Sequence, residues 1–149
     1  MLSLMSSVPV VYRIVVHAAR AASWLFRHGS GKVARGIEGR RKAQTVLGHW
    51  VDRERDPDRP IVWIHAPSVG EALQAEAVAL ALAARVEGIQ VVFTHFSPSA
   101  EAFARQLRWD VSTYLPWDIA DSVGPILDAV APNLLVFTKT EVWPVLVSE

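Results

Sequence analysis

Two glutamates and the small polar residues around them are the groups in this sequence best placed to do chemistry. Glu71 closes the run His65-Ala66-Pro67-Ser68-Val69-Gly70-Glu71, and Glu141 lies in Thr138-Lys139-Thr140-Glu141-Val142-Trp143-Pro144. A carboxylate at a helix N-terminus stays ionised because the helix dipole favours the anion. Held there, Glu71 can take a proton from an attacking hydroxyl as a general base. The same four residues, Ser68 to Glu71, also fit S-x-x-E, the capping box, in which the glutamate merely bonds back to the N-cap amide. Gly70 lets a substrate approach the backbone closely. Lys139 is suited either to an anionic ligand or to solvent. Glu141 reads as a helix-start carboxylate, Trp143 as packing and Pro144 as a first-turn proline.

Several chemistries are excluded. The run before Glu71 contains neither G-x-G-x-x-G nor G-K-[ST], so it is not a phosphate loop. The chain has no cysteine, which rules out disulfides and thiolate metal sites. His65 has no second histidine at metal-ligand spacing and reads as a core residue at a strand end; no metal and no cofactor are expected. The basic residues are not set in a nucleic-acid fold signature, so no nucleic acid is expected as a partner.

The elements that must position these groups follow from hydrophobic rhythm. Residues 61–66, 90–96, 111–115 and 133–137 are short apolar runs, the pattern of strands buried on both faces. Residues 71–86, 99–106 and 119–130 have helical character. Strand and helix alternate four times with short connections, which predicts an α/β domain with a Rossmann-like parallel sheet and helices on both faces, joined by right-handed crossovers. Ligands of open α/β sheets sit beyond the carboxyl ends of the strands. Glu71 and Glu141 each follow a strand, so both fall at that rim.

The net charge of zero conceals a division. The first 50 residues hold eight Lys/Arg against Glu38 alone; the charge is +6 up to residue 59 and −6 beyond it. Such a basic arm suits an anionic surface. Residues 8–26 are apolar but interrupted by Arg13, His17 and Arg20, which fall on one helical face while Val11, Ile14, Val15, Ala18, Ala22 and Leu25 occupy another. This is the pattern of a helix lying in a membrane interface, with Trp24 at headgroup depth, or of an amphipathic helix packed on its own domain. Gly29, Gly31, Gly36 and Gly39 make the next stretch loop-like, 43–51 reads as a short helix, and 52–60 as a charged, proline-punctuated linker. The expected organisation is a membrane-associated helix at 1–27, a basic segment and linker at 28–59, and an α/β domain at 60–149. Four strands are few for such a sheet, and the chain ends where a further helix should form, so it reads as a fragment or the first half of a two-domain protein.

Four segments taken together, W-I-H-A-P-S-V-G-E at 63–71, F-T-H-F-S-P-S-A-E at 93–101, Y-L-P-W-D at 114–118 and T-E-V-W-P at 140–144, resemble the N-terminal half of the 3-deoxy-D-manno-octulosonic acid (Kdo) transferases of lipopolysaccharide synthesis. The resemblance covers nearly the whole chain. It implies a GT-B architecture of two Rossmann-like domains, with this one binding the lipid A precursor and a C-terminal domain, needed for activity, binding CMP-Kdo. It implies inverting transfer without a catalytic metal, at the cytoplasmic face of the bacterial inner membrane. Glu71 falls on the family's general base and Glu141 on its second important glutamate, a stabiliser of charge on the transferred sugar. Ser68 and Gly70 would shape the acceptor pocket, and the basic arm would meet acceptor phosphates and the anionic membrane surface. Lys139 departs from the family's E-T-E-x-W-P by replacing its first glutamate, and T-H-F-S-P-S-A departs from a T-P-T-G type sequence. A non-catalytic module that binds the lipid A precursor or docks on a partner is the competing expectation; a flavodoxin-like nucleotide-binding domain is a weaker one.

Overall fold

The four apolar runs pair into one parallel sheet. In the computed structural model, which describes residues 8–26, 29–139 and 142–149, the strands are β1 (Ile61–His65), β2 (Gln90–His95), β3 (Val111–Tyr114) and β4 (Leu134–Phe137), in the order β3-β2-β1-β4. β1 is central. It pairs with β2 from Ile61↔Gln90 to His65↔Thr94 and with β4 from Val62↔Leu134 to His65↔Phe137.

Why β1 is apolar from Ile61 to Ile64 is visible in its packing. Ile61 and Trp63 face one core cluster while Val62 and Ile64 face another. The first cluster takes in Leu47 and Trp50 with Val123, Ile126, Val130, Val145 and Leu146. The second is filled by Ala72, Ala75, Ala79 and Ala104, whose small side chains let two helices lie close to the sheet. So α3 (Val69–Ala83) and α4 (Pro98–Ala104) cover one face. The other is covered by α2 (Lys32–Arg53), α5 (Ala120–Val130) and α6 (Pro144–Ser148). Each large apolar side chain fully withdrawn from water contributes about 1.5–3 kcal/mol. β4 departs from the expected two-sided burial: it lies at the sheet edge, and Leu134 is 44% exposed.

The main correction concerns residues 28–59. A loop, a short helix at 43–51 and a linker were expected; one helix of 22 residues, α2, runs from Lys32 to Arg53. Each interior glycine costs roughly 1 kcal/mol against alanine, and tertiary packing overrides that cost. Arg40, Ala43, Leu47 and Trp50 form one buried stripe. Gly39 is required there, because a Cβ at that position would run into the Tyr114 ring. The glycine is what lets α2 press against β3.

α1 (Val10–Ala22) ends in a 3-10 turn, Ser23–Phe26. It is tied to the body by Tyr12, whose hydroxyl donates to Asp118 Oδ2 at 2.6 Å. Val8 and Tyr12 pack on the first core cluster. The stripe expected to meet a membrane faces solvent: Val11, Ile14, Val15 and Leu25 are all more than half exposed. No helix among the described residues is long and apolar enough to cross a membrane.

Candidate active site

With this strand order the chain leaves β1 towards β2 on one side and receives β4 on the other. The crevice between the carboxyl ends of β1 and β4 is therefore the switch point at which open α/β sheets bind ligands. The β1 loop enters α3 at the N-cap Ser68, whose backbone is extended (φ −127°, ψ 172°). That places Glu71 at the third helical position, where it is 8% exposed. The β4 exit is fastened to β1 by Thr138, whose amide and hydroxyl both donate to the His65 carbonyl, at 3.1 and 3.2 Å. Lys139 then takes a left-handed conformation (φ 62°), which turns the chain back over the rim.

The two sides meet at Glu71. Its Oε1 lies 2.9 Å from Lys139 Nζ, and its Oε2 accepts a hydrogen bond from the Ser68 hydroxyl. The Ser68 hydroxyl therefore does not cap the helix amides; the half of a capping box that is present is the Ser68 amide turned towards the Glu71 carboxylate. The Ser68 hydroxyl first, and then the hydrogen bond from Lys139, hold the Glu71 carboxyl below the usual carboxylate range against the opposing effect of its burial. An ionised carboxylate has about four lone-pair sites, so Glu71 retains capacity for a further donor such as a substrate hydroxyl. Gly70 is exposed, and a Cβ there would meet nothing within 4 Å. The space above it is open rather than filled by the protein.

Three of the expected site residues, Ser68, Glu71 and Lys139, are thus in direct contact, with Gly70 beside them. Glu141 lies outside the described residues. His65 is fully buried; its Nδ1 shares a hydrogen bond of 3.0 Å with Thr94 Oγ1, and its ring meets Phe137 and Trp143 edge-on. Burial foremost, with Arg40 adding to it, drives its pKa down to about 3, so it is a neutral core residue. Among the described residues, no three His, Asp or Glu side chains gather as they would around a metal ion. Pro144 opens α6, as expected, and Trp143 packs against His65 and Phe96.

Two residues at the rim escaped the sequence reading. Asp118 is buried and accepts from the Val145 and Leu146 amides at 3.0 and 2.8 Å, joining the β3 exit to the start of α6. Arg40 is 7% exposed, its guanidinium carbon 3.8 Å from the Phe96 ring centroid and 5.2 and 5.8 Å from those of Trp117 and Trp143. It thereby reaches the ends of β2, β3 and the β4 exit. Its spacing with Ala43, Leu47 and Trp50 is the signal the sequence offers, and the loop propensity of the neighbouring glycines obscures it.

Fold and rim together define a doubly wound α/β domain with an ionised carboxylate, a hydroxyl and an ammonium converging at its switch point. The family model of the 3-deoxy-D-manno-octulosonic-acid transferases (kdotransferases) matches residues 39–149, and the chain belongs to that family. The 3-deoxy-D-manno-octulosonic acid transferase of Haemophilus influenzae is 30% identical over 90 residues, 59% of this chain and 21% of that protein. The enzyme of the same name from Rickettsia felis is 30% identical over 93 residues, 61% of this chain and 20% of that protein. The matched region spans about a fifth of the length of these curated relatives. No solved structure matches the chain.

Proposed function

We propose that this chain is the acceptor-side, base-bearing part of a transferase that moves Kdo from CMP-Kdo to the lipid A precursor, with inversion. The observation that carries the reading is Glu71: a carboxylate at the β1–β4 switch point, kept ionised by Ser68 and Lys139, with open space over Gly70. In the proposed step Glu71 takes the proton of an acceptor sugar hydroxyl while that oxygen attacks the anomeric carbon of Kdo. The bond to CMP breaks and its electron pair leaves with the phosphate. Glu141 stabilises the positive charge that develops on the transferred sugar. The donor binds a C-terminal GT-B domain of the kind the longer relatives have room for, and without that domain these residues do not turn over. No metal or cofactor takes part.

Lys139 receives an acceptor phosphate, and the basic α1–α2 half meets anionic lipid, at about 1 kcal/mol per well-placed cation. On this reading the protein works at the cytoplasmic face of the inner membrane; the exposed apolar stripe on α1 supports contact with a bilayer. One observation favours the second reading, a non-catalytic module binding the lipid A precursor: Lys139 already occupies one oxygen of the proposed base.

The deciding experiment is Kdo transfer to lipid A precursor by the full-length parent, with Glu71→Gln beside it. General-base catalysis typically contributes about 10²–10⁴-fold, so the variant is expected to lose at least a hundredfold in kcat while still binding acceptor. A folded Glu71→Gln protein with near-normal turnover removes Glu71 from the chemistry and leaves it as a helix-start carboxylate.

A further inference from the structure

Two cavities meet at the side chains of Arg40 and Trp117, and their linings are opposite in character. One, of about 340 Å³, is lined by Arg20 of α1 and by Arg40 and Arg41 of α2, with Ser23, Gln44 and Ser122 as neutral polar neighbours and, among the described residues, no carboxylate in its wall; Arg41 makes an exposed ion pair of 3.6 Å with Glu38 on its own helix. The other is an apolar groove of about 530 Å³ between Val15, Val16 and Ala19 of α1 and Val33 and Ile37 of α2, closed at one end by Phe96 and Trp143. Both sizes lie within the usual range for small-molecule sites, roughly 300–1,000 Å³. Among the described residues the one carboxylate bordering the groove, Asp118, is already engaged by Tyr12 and the α6 amides.

We propose that one anionic phospholipid of the bilayer docks here, its headgroup phosphate against the arginines and one acyl chain along the groove. The chemistry is complementary at both ends. Arginine guanidinium groups match phosphate oxygens in a bidentate fork, and the groove offers an acyl chain almost nothing but hydrocarbon and aromatic rings. The source of the lipid follows from continuity: Val15 lines the groove and is also 58% exposed on the stripe of α1 that faces solvent. A chain leaving the groove therefore emerges on the surface read above as bilayer-facing, and the proposal rests on that reading. None of Ser68, Glu71 and Lys139 lines either cavity, and the occupant proposed is an anchor rather than an acceptor.

The test separates pocket from surface. The full chain is titrated, through its tryptophan fluorescence, with dihexanoyl phosphatidylglycerol below its micelle concentration, and in parallel with dihexanoyl phosphatidylcholine and inorganic phosphate. Saturable binding of the anionic lipid is expected, at least about tenfold tighter than either control. It is expected to weaken by at least about tenfold in Arg20→Gln/Arg41→Gln and likewise in Gly36→Leu. Gly36 borders the groove, and a Cβ added there meets nothing within 4 Å, so the leucine fills the groove without straining α2. Equal binding of the two lipids, phosphate binding as tightly as the lipid, or full affinity in both variants overturns the proposal. Flotation on phosphatidylglycerol and phosphatidylcholine vesicles is the second arm. Anionic vesicles captured without short-chain binding overturn the pocket and leave the bilayer-facing reading standing. Short-chain binding without capture by either vesicle overturns the bilayer as the lipid's source, and the bilayer-facing reading with it.

Discussion

Lys139 Nζ stands 2.9 Å from Glu71 Oε1, joining the exit of β4 to the entry of α3. Glu71 contributes to both local structure and the proposed chemistry through its charge, and Lys139 is one of two groups that set that charge. The ammonium side chain is 64% exposed while the carboxylate is 10% exposed, so the cation can leave for solvent or a phosphate without unfolding anything, whereas the carboxylate stays in place.

Removing that cation should raise the proton affinity of Glu71. The pKa is lowered by Ser68 first and by Lys139 second, so Lys139→Met moves it upwards, back towards the ordinary carboxylate value, without reaching it. Because the folded-state pKa lies below the unfolded one, the stability Glu71 contributes is present above the ordinary carboxylate pKa and is lost as pH falls through the lowered value. A carbon-detected NMR titration of Glu71 in both proteins checks the shift; an unchanged midpoint means the pair carries no electrostatic weight in solution.

Two of the three glycines of α2, Gly36 and Gly39, should respond in opposite directions to alanine. At Gly39 the new Cβ meets the Tyr114 ring, and overpacking of this kind costs about 1–3 kcal/mol. At Gly36 it meets nothing within 4 Å, and alanine is expected to stabilise the helix by roughly 0.5–1 kcal/mol. Urea midpoints of the two variants give the comparison.

Acid should destabilise the fold through two buried histidines. Burial is the first cause of both shifts, holding the pKa of His65 to about 3 and that of His95 to about 4. The unfolded chain titrates near 6.5, so between about 6.5 and those values protons bind the unfolded state preferentially. Each histidine then removes up to about 1.4 kcal/mol per pH unit as pH falls. Urea unfolding at a series of pH values should show this slope, and His95→Gln should make it shallower below pH 6.

Asp118 should matter more to stability than its place in a loop suggests. It accepts from two α6 amides and from Tyr12, and losing a helix-capping carboxylate costs about 0.5–2 kcal/mol. Asp118→Ala, which also strands the half-buried Tyr12 hydroxyl, is expected to cost about 2 kcal/mol or more. Tyr12→Phe removes one bond and should cost about 1 kcal/mol. Thermal melts of both variants decide the ranking.

What the sequence determined by itself is the local part. Continuous apolar runs such as that at 61–64 have the pattern of strands covered on both faces, and the alternation with Ala-rich helices predicts a parallel sheet. The S-V-G-E turn sets Glu71 at the start of α3, because strand end, N-cap and third helical position are neighbours in the chain. Tertiary structure decided the rest. The order β3-β2-β1-β4 brings Lys139 to Glu71, a contact that depends on which strand pairs beside β1, and no local periodicity encodes that pairing. The same holds for α2. Gly36 and Gly39 argue for a loop on propensity alone; the helix exists because Arg40, Ala43, Leu47 and Trp50 share one buried face, and Gly39 leaves the Tyr114 ring the space a Cβ would take. Propensity is a matter of tenths of a kcal/mol to about one per residue, and burying two large side chains on a sheet outweighs it.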